Sequence, residues 1–323
     1  DGLLKDIINV DKSINDGIVA RAKTLSNLRI DEHLKPQDGR FRFRSSDIDL
    51  DVRTAIMPTF FGEKISLRML GANQAFISFE EFGMSQNAIE TLMKAVKKPY
   101  GMVLSSGPTG SGKTTTIYGI LNILNKPEVH ITTIEDPVEY IVQNVSQTQV
   151  NTQAGIDFAS GLRALLRHSP DIIFIGEIRD TDTAAISINA ALTGHLLIST
   201  IHTNDAPGAV MRLINLEIPP FLIGSTVNAV MAQRLVRKIC VNCIESYSPP
   251  PALKKQIEDE AARKNEKTRM PSILYRGKGC STCGHTGYEG RIGIFEVFTI
   301  DENVKAVINA PDLNSEMLKK TAK

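Results

Sequence analysis

The sequence predicts an α/β fold with a mostly parallel sheet, preceded by a smaller α+β domain. Residues 107–114 match the pattern of a phosphate-binding loop, which joins a strand to a helix. After residue 85, short apolar runs alternate with helical patterns, as in a parallel sheet covered on both faces. Before residue 85, charged and apolar residues alternate strictly, which is typical of a smaller antiparallel sheet. We therefore expect domains at residues 1–84 and 85–323.

The first domain is expected to begin with a helix and to continue as antiparallel strands. Its predicted elements are a helix carrying Ile18, Ala22, Leu25 and Leu28, a hairpin of Arg40–Arg44 and Asp47–Arg53, and a third strand at Ile65–Leu70. One interpretation of the arginines in the hairpin is a strip that binds nucleic acid. The favoured one is a solvated face, because acidic residues follow on the next strand.

The second domain is expected to alternate helices and strands. The predicted strands are Gly101–Ser105, Val129–Ile134, Ile172–Ile175, Leu196–Ile201 and Gly293–Phe298. The predicted helices are Ile89–Val96, Thr114–Leu124, Phe158–Leu166, Asp182–Ala191, a stretch from Pro219 to Val236, an inserted helix in the charged run Lys254–Lys267, and a weak helix at the end of the chain.

The phosphate-binding loop is complete. It comprises Gly107, Pro108, Thr109, Gly110, Ser111, Gly112, Lys113 and Thr114. Glycines let successive backbone N–H groups turn toward an anion, and the following helix adds its positive end. Lys113 is expected to reach the β- and γ-phosphates of a nucleotide, and the Thr114 hydroxyl to bind Mg²⁺. A chance glycine-rich turn before a lysine is disfavoured by the strand and helix on either side.

Three glutamates are candidates for holding magnesium or activating water. Glu177 follows the buried run Ile172–Ile175, so it emerges where ligands of open α/β sheets bind. Glu135 and Glu139 follow the run that ends at Ile134 and are expected at the same edge. Any of the three could orient the attacking water, and capping of a nearby helix is the alternative for each.

Two histidines bracket the strand predicted at Leu196–Ile201. His202 lies at its carboxyl end and is predicted to sense the γ-phosphate or, alternatively, to be structural. His195 lies at the other end and is predicted to position neighbouring groups.

Two C-x-x-C pairs, Cys240 with Cys243 and Cys280 with Cys283, supply four thiolates. Four thiolates can close a tetrahedral shell around a structural Zn²⁺. We expect a zinc subdomain at residues 237–292, with reduced, metal-free cysteines as the alternative.

Composition limits the function classes. Lys and Arg total 37 against 36 for Asp and Glu, which argues against a general nucleic-acid coat. Apolar runs fall short of a membrane span.

Together these motifs resemble the type II/IV secretion and type IV pilus assembly ATPases. The resemblance rests on the loop GPTGSGKTT, the stretches IEDPVE, PDIIFIGEIRD and LTGHLLISTIHTN, the run AQRLVR and the tetracysteine region. In that family the first four are the Walker A, Asp box, atypical Walker B and His box motifs. The resemblance implies a RecA-like fold, Mg²⁺-dependent ATP hydrolysis and a homo-hexamer, and it adds Thr115 to the nucleotide-binding residues.

The resemblance also interprets the first domain as a PAS-like N2 domain. Arg53 and Arg68 match two arginines that reach nucleotide phosphates in the family. It further implies a cytoplasmic protein that is peripheral to the inner membrane, where it docks on a platform protein through segments that we expect outside this chain. The leading hypothesis is a motor for pilus assembly. Type II secretion is the alternative, and a nucleic-acid-dependent translocase is a third hypothesis from another class.

Overall fold

The structure is a computed structural model, and it describes residues 6–46, 48–71, 78–263 and 271–321. Contacts divide the chain into two compact units, Gly2–Phe76 and Ile77–Lys323. The division falls before the boundary predicted at Ser85, because Phe79 and Met84 are buried in a core of the second unit. The predicted strand position Asp47 and the end of the charged run, Lys267, lie outside the described residues.

The first unit is one helix beside a three-stranded antiparallel sheet. Its elements are α1 (Asn15–Leu25), β1 (Gln37–Arg44), β2 (Asp49–Thr59) and β3 (Gly62–Gly71), with β2 in the centre. Val52 and Ile56 are buried on one face of β2. On the opposite face of the sheet, Arg42 of β1 donates two hydrogen bonds to Asp49 of β2, at 2.8 and 2.7 Å. The prediction that acidic residues of the next strand pair with the arginines is therefore confirmed.

A lysine is fully buried in this unit, which the helical pattern gave no reason to expect. The Nζ atom of Lys23, on α1, lies 2.7 Å from Glu63 Oε1 on β3 and donates to the Glu32 carbonyl at 2.7 Å. The Lys23 side chain is 0% exposed and that of Glu63 is 10% exposed. This ion pair joins the helix to the edge of the sheet.

The second unit contains a seven-stranded sheet of order β12-β9-β4-β8-β7-β5-β6. Its strands are β4 (Gly101–Ser106), β5 (Ile131–Glu135), β6 (Val145–Gln149), β7 (Ile172–Ile175), β8 (Leu196–Ile201), β9 (Val227–Ile239) and β12 (Tyr288–Thr299). All neighbours are parallel except β9 and β12, which are antiparallel. The mostly parallel sheet is as predicted.

Helices cover both faces of this sheet. They are α2 (Gln86–Val96), α3 (Lys113–Leu124), α4 (Phe158–Leu165), α5 (Thr181–Leu192), α6 (Ala206–Asn215), α7 (Pro220–Thr226), α8 (Pro251–Arg263), α9 (Glu302–Ile308) and α10 (Ser315–Thr321). Leu92 of α2 and Ile117 of α3 belong to one buried core, whereas Leu162 of α4 and Val210 of α6 belong to the other. A separate pair, β10 (Ile244–Tyr247) and β11 (Leu274–Gly277), flanks α8.

One prediction about this unit is wrong, and several elements were not predicted. A helix was predicted from Pro219 to Val236. Only Pro220–Thr226 of that stretch is helical, and Val227–Ile239 is a strand between β4 and β12. Its apolar first half is buried throughout, and periodicity alone does not distinguish a buried strand from a helix. The elements that were not predicted are α6, β6, β10 and β11. Strand β6 has the sequence VSQTQ, which is too polar to stand out as a buried strand.

We expect Lys23→Ala to destabilise the first unit by about 3–5 kcal/mol, because Glu63 keeps its charge in a nearly buried place. Amide hydrogen exchange of α1 and β3 in the whole chain measures this. Arg29→Ala is the control, since Arg29 and its partner Asp31 are 71% and 73% exposed and their pair contributes little. Equal protection in the two variants would contradict the prediction.

Candidate functional site

The phosphate-binding loop leaves β4 at Ser106 and enters α3 at Lys113. Three of its residues have positive φ, 142° at Gly107, 77° at Gly110 and 88° at Gly112. Residues other than glycine rarely adopt these backbone conformations. A Cβ at Gly107 would also lie 2.5 Å from the Gln233 carbonyl oxygen. Glycine is therefore required for the shape of the loop.

Lys113 is buried within the loop that it serves. Its Nζ donates to the carbonyl oxygens of Gly107 at 2.7 Å and Pro108 at 3.0 Å. Burial lowers the pKa of this ammonium, and the nearby Glu177 carboxylate opposes that shift. The two loop carbonyls thus hold the ammonium group inside the loop.

The remaining loop residues differ in exposure. Pro108, Thr109 and Gly110 are exposed, and Thr114 and Thr115 are half-buried at the start of α3. Ser111 is buried, and its carbonyl accepts a hydrogen bond from the Gln233 side chain at 2.7 Å. Sequence reasoning missed Gln233 because its segment was predicted to be helical.

Glu177 lies at the carboxyl edge of the sheet, where it was predicted. Arg179 contacts both of its carboxylate oxygens, with Nε 2.5 Å from Oε2 and Nη2 2.6 Å from Oε1. His202 follows the neighbouring strand β8, and its Nε2 lies 3.4 Å from Glu177 Oε2. Burial and the charge of Lys113 lower the pKa of His202, while Glu177 opposes the shift. Sequence reasoning missed Arg179, although it stands within the quoted stretch PDIIFIGEIRD.

Glu135 ends β5 and is enclosed by hydrogen-bond donors. Its Oε2 accepts from the Tyr118 hydroxyl at 2.5 Å, and its Oε1 accepts from Thr133 at 2.7 Å and Gln147 at 3.2 Å. The residue is 2% exposed. Burial raises the pKa of Glu135, and these donors oppose the rise. The carboxylate links β5 to the loop helix α3 and to the edge strand β6.

The four remaining candidates, Glu139, His195, Arg53 and Arg68, lie at three different places in the structure. Glu139 is half-buried in the segment between β5 and β6. His195 stands at the amino-terminal edge of the sheet, opposite the loop, and its Nδ1 lies 3.0 Å from the Ala190 carbonyl oxygen. The structure therefore does not bring His195 to the other candidates. Arg53 and Arg68 belong to the first unit, where they face each other across β2 and β3.

The four cysteines meet in a compact cluster. Their sulfur atoms all lie within 4.8 Å of one another, and three of the separations are 3.8 to 3.9 Å. A tetrahedral ion with Zn–S bonds of about 2.3 Å needs sulfurs about 3.8 Å apart. The donor set and its spacing therefore fit zinc.

Backbone geometry supports thiolates in this cluster. Cys280 and Gly287 donate backbone N–H groups to Cys283 Sγ at 3.2 and 3.3 Å, and these bonds lower the pKa of Cys283 to about 6. Burial raises the pKa of Cys240 to about 12, so a metal ion bound there would have to displace the proton of this thiol. Gly279 and Gly287 have positive φ and let the chain wrap the sulfurs.

Comparison with known proteins identifies the family. The model of the Type II/IV secretion system protein family matches residues 1–323. This chain belongs to that family. It is 41% identical over 310 residues to the type II secretion system ATPase E of Vibrio cholerae, covering 96% of this chain and 60% of that protein. It is 42% identical over 310 residues to the type IV pilus assembly ATPase PilB of Thermus thermophilus, covering 96% of this chain and 34% of that protein.

Solved structures show the same fold as this type II/IV secretion family member. The pilus retraction motor PilT with bound ADP aligns with a TM-score of 0.62 at 24% identity, covering 88% of this chain and 69% of that chain. The ATPase DotB of Yersinia pseudotuberculosis aligns with a TM-score of 0.63 at 18% identity, covering 95% of this chain and 72% of that chain. Among the described residues, no helix is both long and apolar enough to cross a membrane.

The hydrogen bond from the Tyr118 hydroxyl should stabilise the fold most when Glu135 is ionised. Tyr118→Phe removes one donor that opposes the raised pKa of Glu135, so the pKa rises further. We expect a loss of about 1–3 kcal/mol in stability at pH about 8. Because an acid with a raised folded pKa favours its protonated form, the loss should shrink as the pH falls toward about 5.

Thermal unfolding of the whole chain at both pH values measures this loss. Tyr100→Phe is the matched control, because the Tyr100 side chain is exposed at the surface and should show no pH-dependent change. An equal loss at both pH values would show that Tyr118 acts only by packing.

Proposed function

We propose that this chain is the ATP-hydrolysing motor portion of a type IV pilus assembly machine. The observation that supports this most directly is the shared sheet edge, where the Lys113 ammonium and the Glu177 carboxylate influence each other beside a complete phosphate-binding loop. The chain spans about 60% of the length of the type II secretion relatives that it matches, so activity, substrate and partners of the whole protein belong to this proposal.

The loop would hold the triphosphate. Backbone N–H groups of the loop would turn toward the anion, Lys113 would exchange its two carbonyl partners for the β- and γ-phosphates, and Thr115 would extend the contact along α3. Thr114 offers a hydroxyl to Mg²⁺, which would neutralise charge on the transferred phosphoryl group. Glu177 is the carboxylate for the magnesium or its water, and Arg179 would release it when the cation arrives.

The three glutamates receive different roles in this proposal. Glu135 is enclosed, and each of its oxygens already accepts a hydrogen bond, so we assign it to holding β5, β6 and α3 together. Glu139 or Glu177 then orients the attacking water. We assign His202 to sensing the γ-phosphate, because its Nε2 lies 3.4 Å from the Glu177 carboxylate. His195 is assigned a structural role.

The first unit is proposed to be a PAS-like N2 domain whose Arg53 and Arg68 contact nucleotide phosphates. Its helix and three-stranded sheet are compatible with part of such a domain. Charge-assisted hydrogen bonds from arginines would couple the phosphate state to domain movement.

The machine itself is proposed from the relatives. The identity of 42% to the pilus ATPase PilB supports pilus assembly. Identities of 40–42% to type II secretion proteins of Pseudomonas aeruginosa, Vibrio cholerae and Aeromonas hydrophila support type II secretion to the same degree, as the second candidate. In either case we propose a homo-hexamer in the cytoplasm, docked at the inner membrane on a platform protein and independent of nucleic acid.

A structural Zn²⁺ is proposed for the four cysteines. Cys240, Cys243, Cys280 and Cys283 would fill its coordination shell, so the ion would stabilise the fold around β10 and β11 without taking part in hydrolysis.

Hydrolysis is tested by phosphate release from Mg²⁺ and ATP. We expect Lys113→Ala to reduce turnover at least about 100-fold, because the phosphates lose their buried cation, and Glu177→Gln to do the same while nucleotide binding persists. Lys126→Ala, an exposed lysine just beyond α3, is the matched control. Unchanged phosphate release by Lys113→Ala protein would reject an ATPase centred on this loop.

Zinc is tested by elemental analysis of protein purified without chelators. We expect about one zinc per chain, and less than half of that in Cys283→Ser protein. Removal of zinc should expose the amides of β10 and β11 to hydrogen exchange while those of β7 and β8 stay protected. Metal-free protein with normal protection would overturn the assignment.

A further inference from the structure

The loop between β8 and α6, which begins with His202, is held in place at Asp205. The backbone carbonyl of Asp205 accepts hydrogen bonds from the Ser106 hydroxyl at 3.3 Å and from the Thr203 hydroxyl at 3.0 Å. Ser106 is fully buried and is the last residue of β4, so it directly precedes the phosphate-binding loop. Asp205 therefore connects the loop that bears His202 to the strand end that leads into the phosphate-binding loop.

The carboxylate of Asp205 has two further partners. One of its oxygens accepts the Gly208 backbone N–H at 2.8 Å and so caps the start of α6. The other oxygen lies 2.7 Å from Nζ of Lys319, on α10. Leu318, the residue before this lysine, is fully buried in the core that α6 also enters, so α10 is fixed against the domain. The ion pair thus joins a firmly packed helix to the loop.

Lys319 brings positive charge to an acidic part of the surface. On β12, Glu296 Oε2 accepts the Ala206 backbone N–H at 3.0 Å, so a second carboxylate stands at the start of α6. The hydrogen bond to Asp205 and the charge of that residue raise the pKa of Lys319, and the charges of Glu296 and Glu316 raise it further. Removing this ammonium takes away a charge that offsets the repulsion between the two carboxylates at the start of α6.

We propose that Lys319 is a positioning residue of the nucleotide site. The inference rests on the proposed function, and it adds the helix α10 to the elements that support hydrolysis. Lys319 acts through Asp205, which holds the loop after β8 against the end of β4. His202 lies in that loop, and its Nε2 is 3.4 Å from Glu177 Oε2, so a displaced loop changes a contact of the Glu177 carboxylate.

The first test measures phosphate release from Mg²⁺ and ATP by the whole chain. The Lys319 and Asp205 side chains are 51% and 32% exposed, so solvent screens their pair and its removal has a moderate effect. We expect Lys319→Met to lower kcat about threefold and to change KM for ATP less than about twofold, because the phosphate-binding loop keeps its own contacts. Lys319→Arg keeps the charge and should restore most of the loss.

Lys320→Met is the matched control. It removes an exposed lysine from the same helix and should change neither kcat nor KM. An equal loss of kcat in Lys319→Met and Lys320→Met, or no rescue by Lys319→Arg, would show that the charge on α10 at Lys319 has no specific role and would overturn the proposal.

A double-mutant cycle tests whether Lys319 acts through Asp205. Asp205→Asn keeps a residue type that caps helices well, and it keeps the backbone carbonyl, but it removes the charge. The variant that combines Asp205→Asn with Lys319→Met should have the same kcat as either single variant, because one ion pair is broken in all three. Losses of kcat that multiply in the double variant would contradict the proposed route.

Amide hydrogen exchange of the ligand-free chain gives a readout that does not depend on turnover. Lys319→Met should speed exchange at Ala206 and Gly208 relative to Lys320→Met, while the amides of β7 and β8 stay protected. Faster exchange with an unchanged kcat, or a lower kcat with unchanged exchange, would overturn the positioning role.

The two readouts also separate this inference from the proposed function. An inactive chain in which Lys319→Met loosens the start of α6 would contradict the proposed hydrolysis but support the coupling of α10 to the loop. An active chain in which neither kcat nor exchange depends on Lys319 would do the opposite.

Discussion

The site depends on bringing a buried cation and a buried carboxylate to one edge of a parallel sheet. Strand β8 lies between β4, which leads into Lys113, and β7, which leads into Glu177. Two side-chain hydrogen bonds fix the register between the ends of β7 and β8. Ser199 donates to the Ile175 carbonyl at 2.8 Å, and Thr200 donates to the Gly176 carbonyl at 2.6 Å. A shift of one residue in this register would move the carboxylate about 3.3 Å along the sheet and separate the two charges.

Burial alone does not decide what a carboxylate can do at this edge. Glu135 and Glu177 are both buried, but Glu135 accepts hydrogen bonds from neutral donors within the sheet and the loop helix. Glu177 instead faces the cations Arg179 and Lys113 and the titratable His202. A carboxylate whose partners are mobile or titratable can exchange them for a metal ion, whereas one enclosed by fixed donors stabilises its surroundings.

Sequence reasoning predicted the parts of the molecule that follow local rules. The strands Ile172–Ile175 and Leu196–Ile201 have the predicted bounds, because continuous apolar runs between turns leave few alternatives. The phosphate-binding loop and the cysteine cluster could be predicted because the spacing of their residues in the sequence defines both motifs. The strand Val227–Ile239 was not, since only its pairing with β4 and β12 distinguishes it from a helix.

Long-range side-chain contacts also escaped prediction. Gln233 lies far from Ser111 in sequence, and Lys23 is separated from Glu63 by most of the first unit. The pairing of Arg53 with Arg68 depends on strand register, which sequence alternation does not supply. Tertiary pairing decides such features, so no pattern within a short window reveals them.

Strand β9 has a mechanical consequence. It supports the loop through Gln233, and it ends at Ile239, directly before Cys240. Over Val227–Ile239 an extended strand is about 40 Å long, and pairing with β12 along most of that length stiffens it. Gln233 stands midway along β9, so only about 20 Å of paired strand separates the glycine loop from the cysteine cluster, and a displacement of either one would be transmitted to the other through that strand.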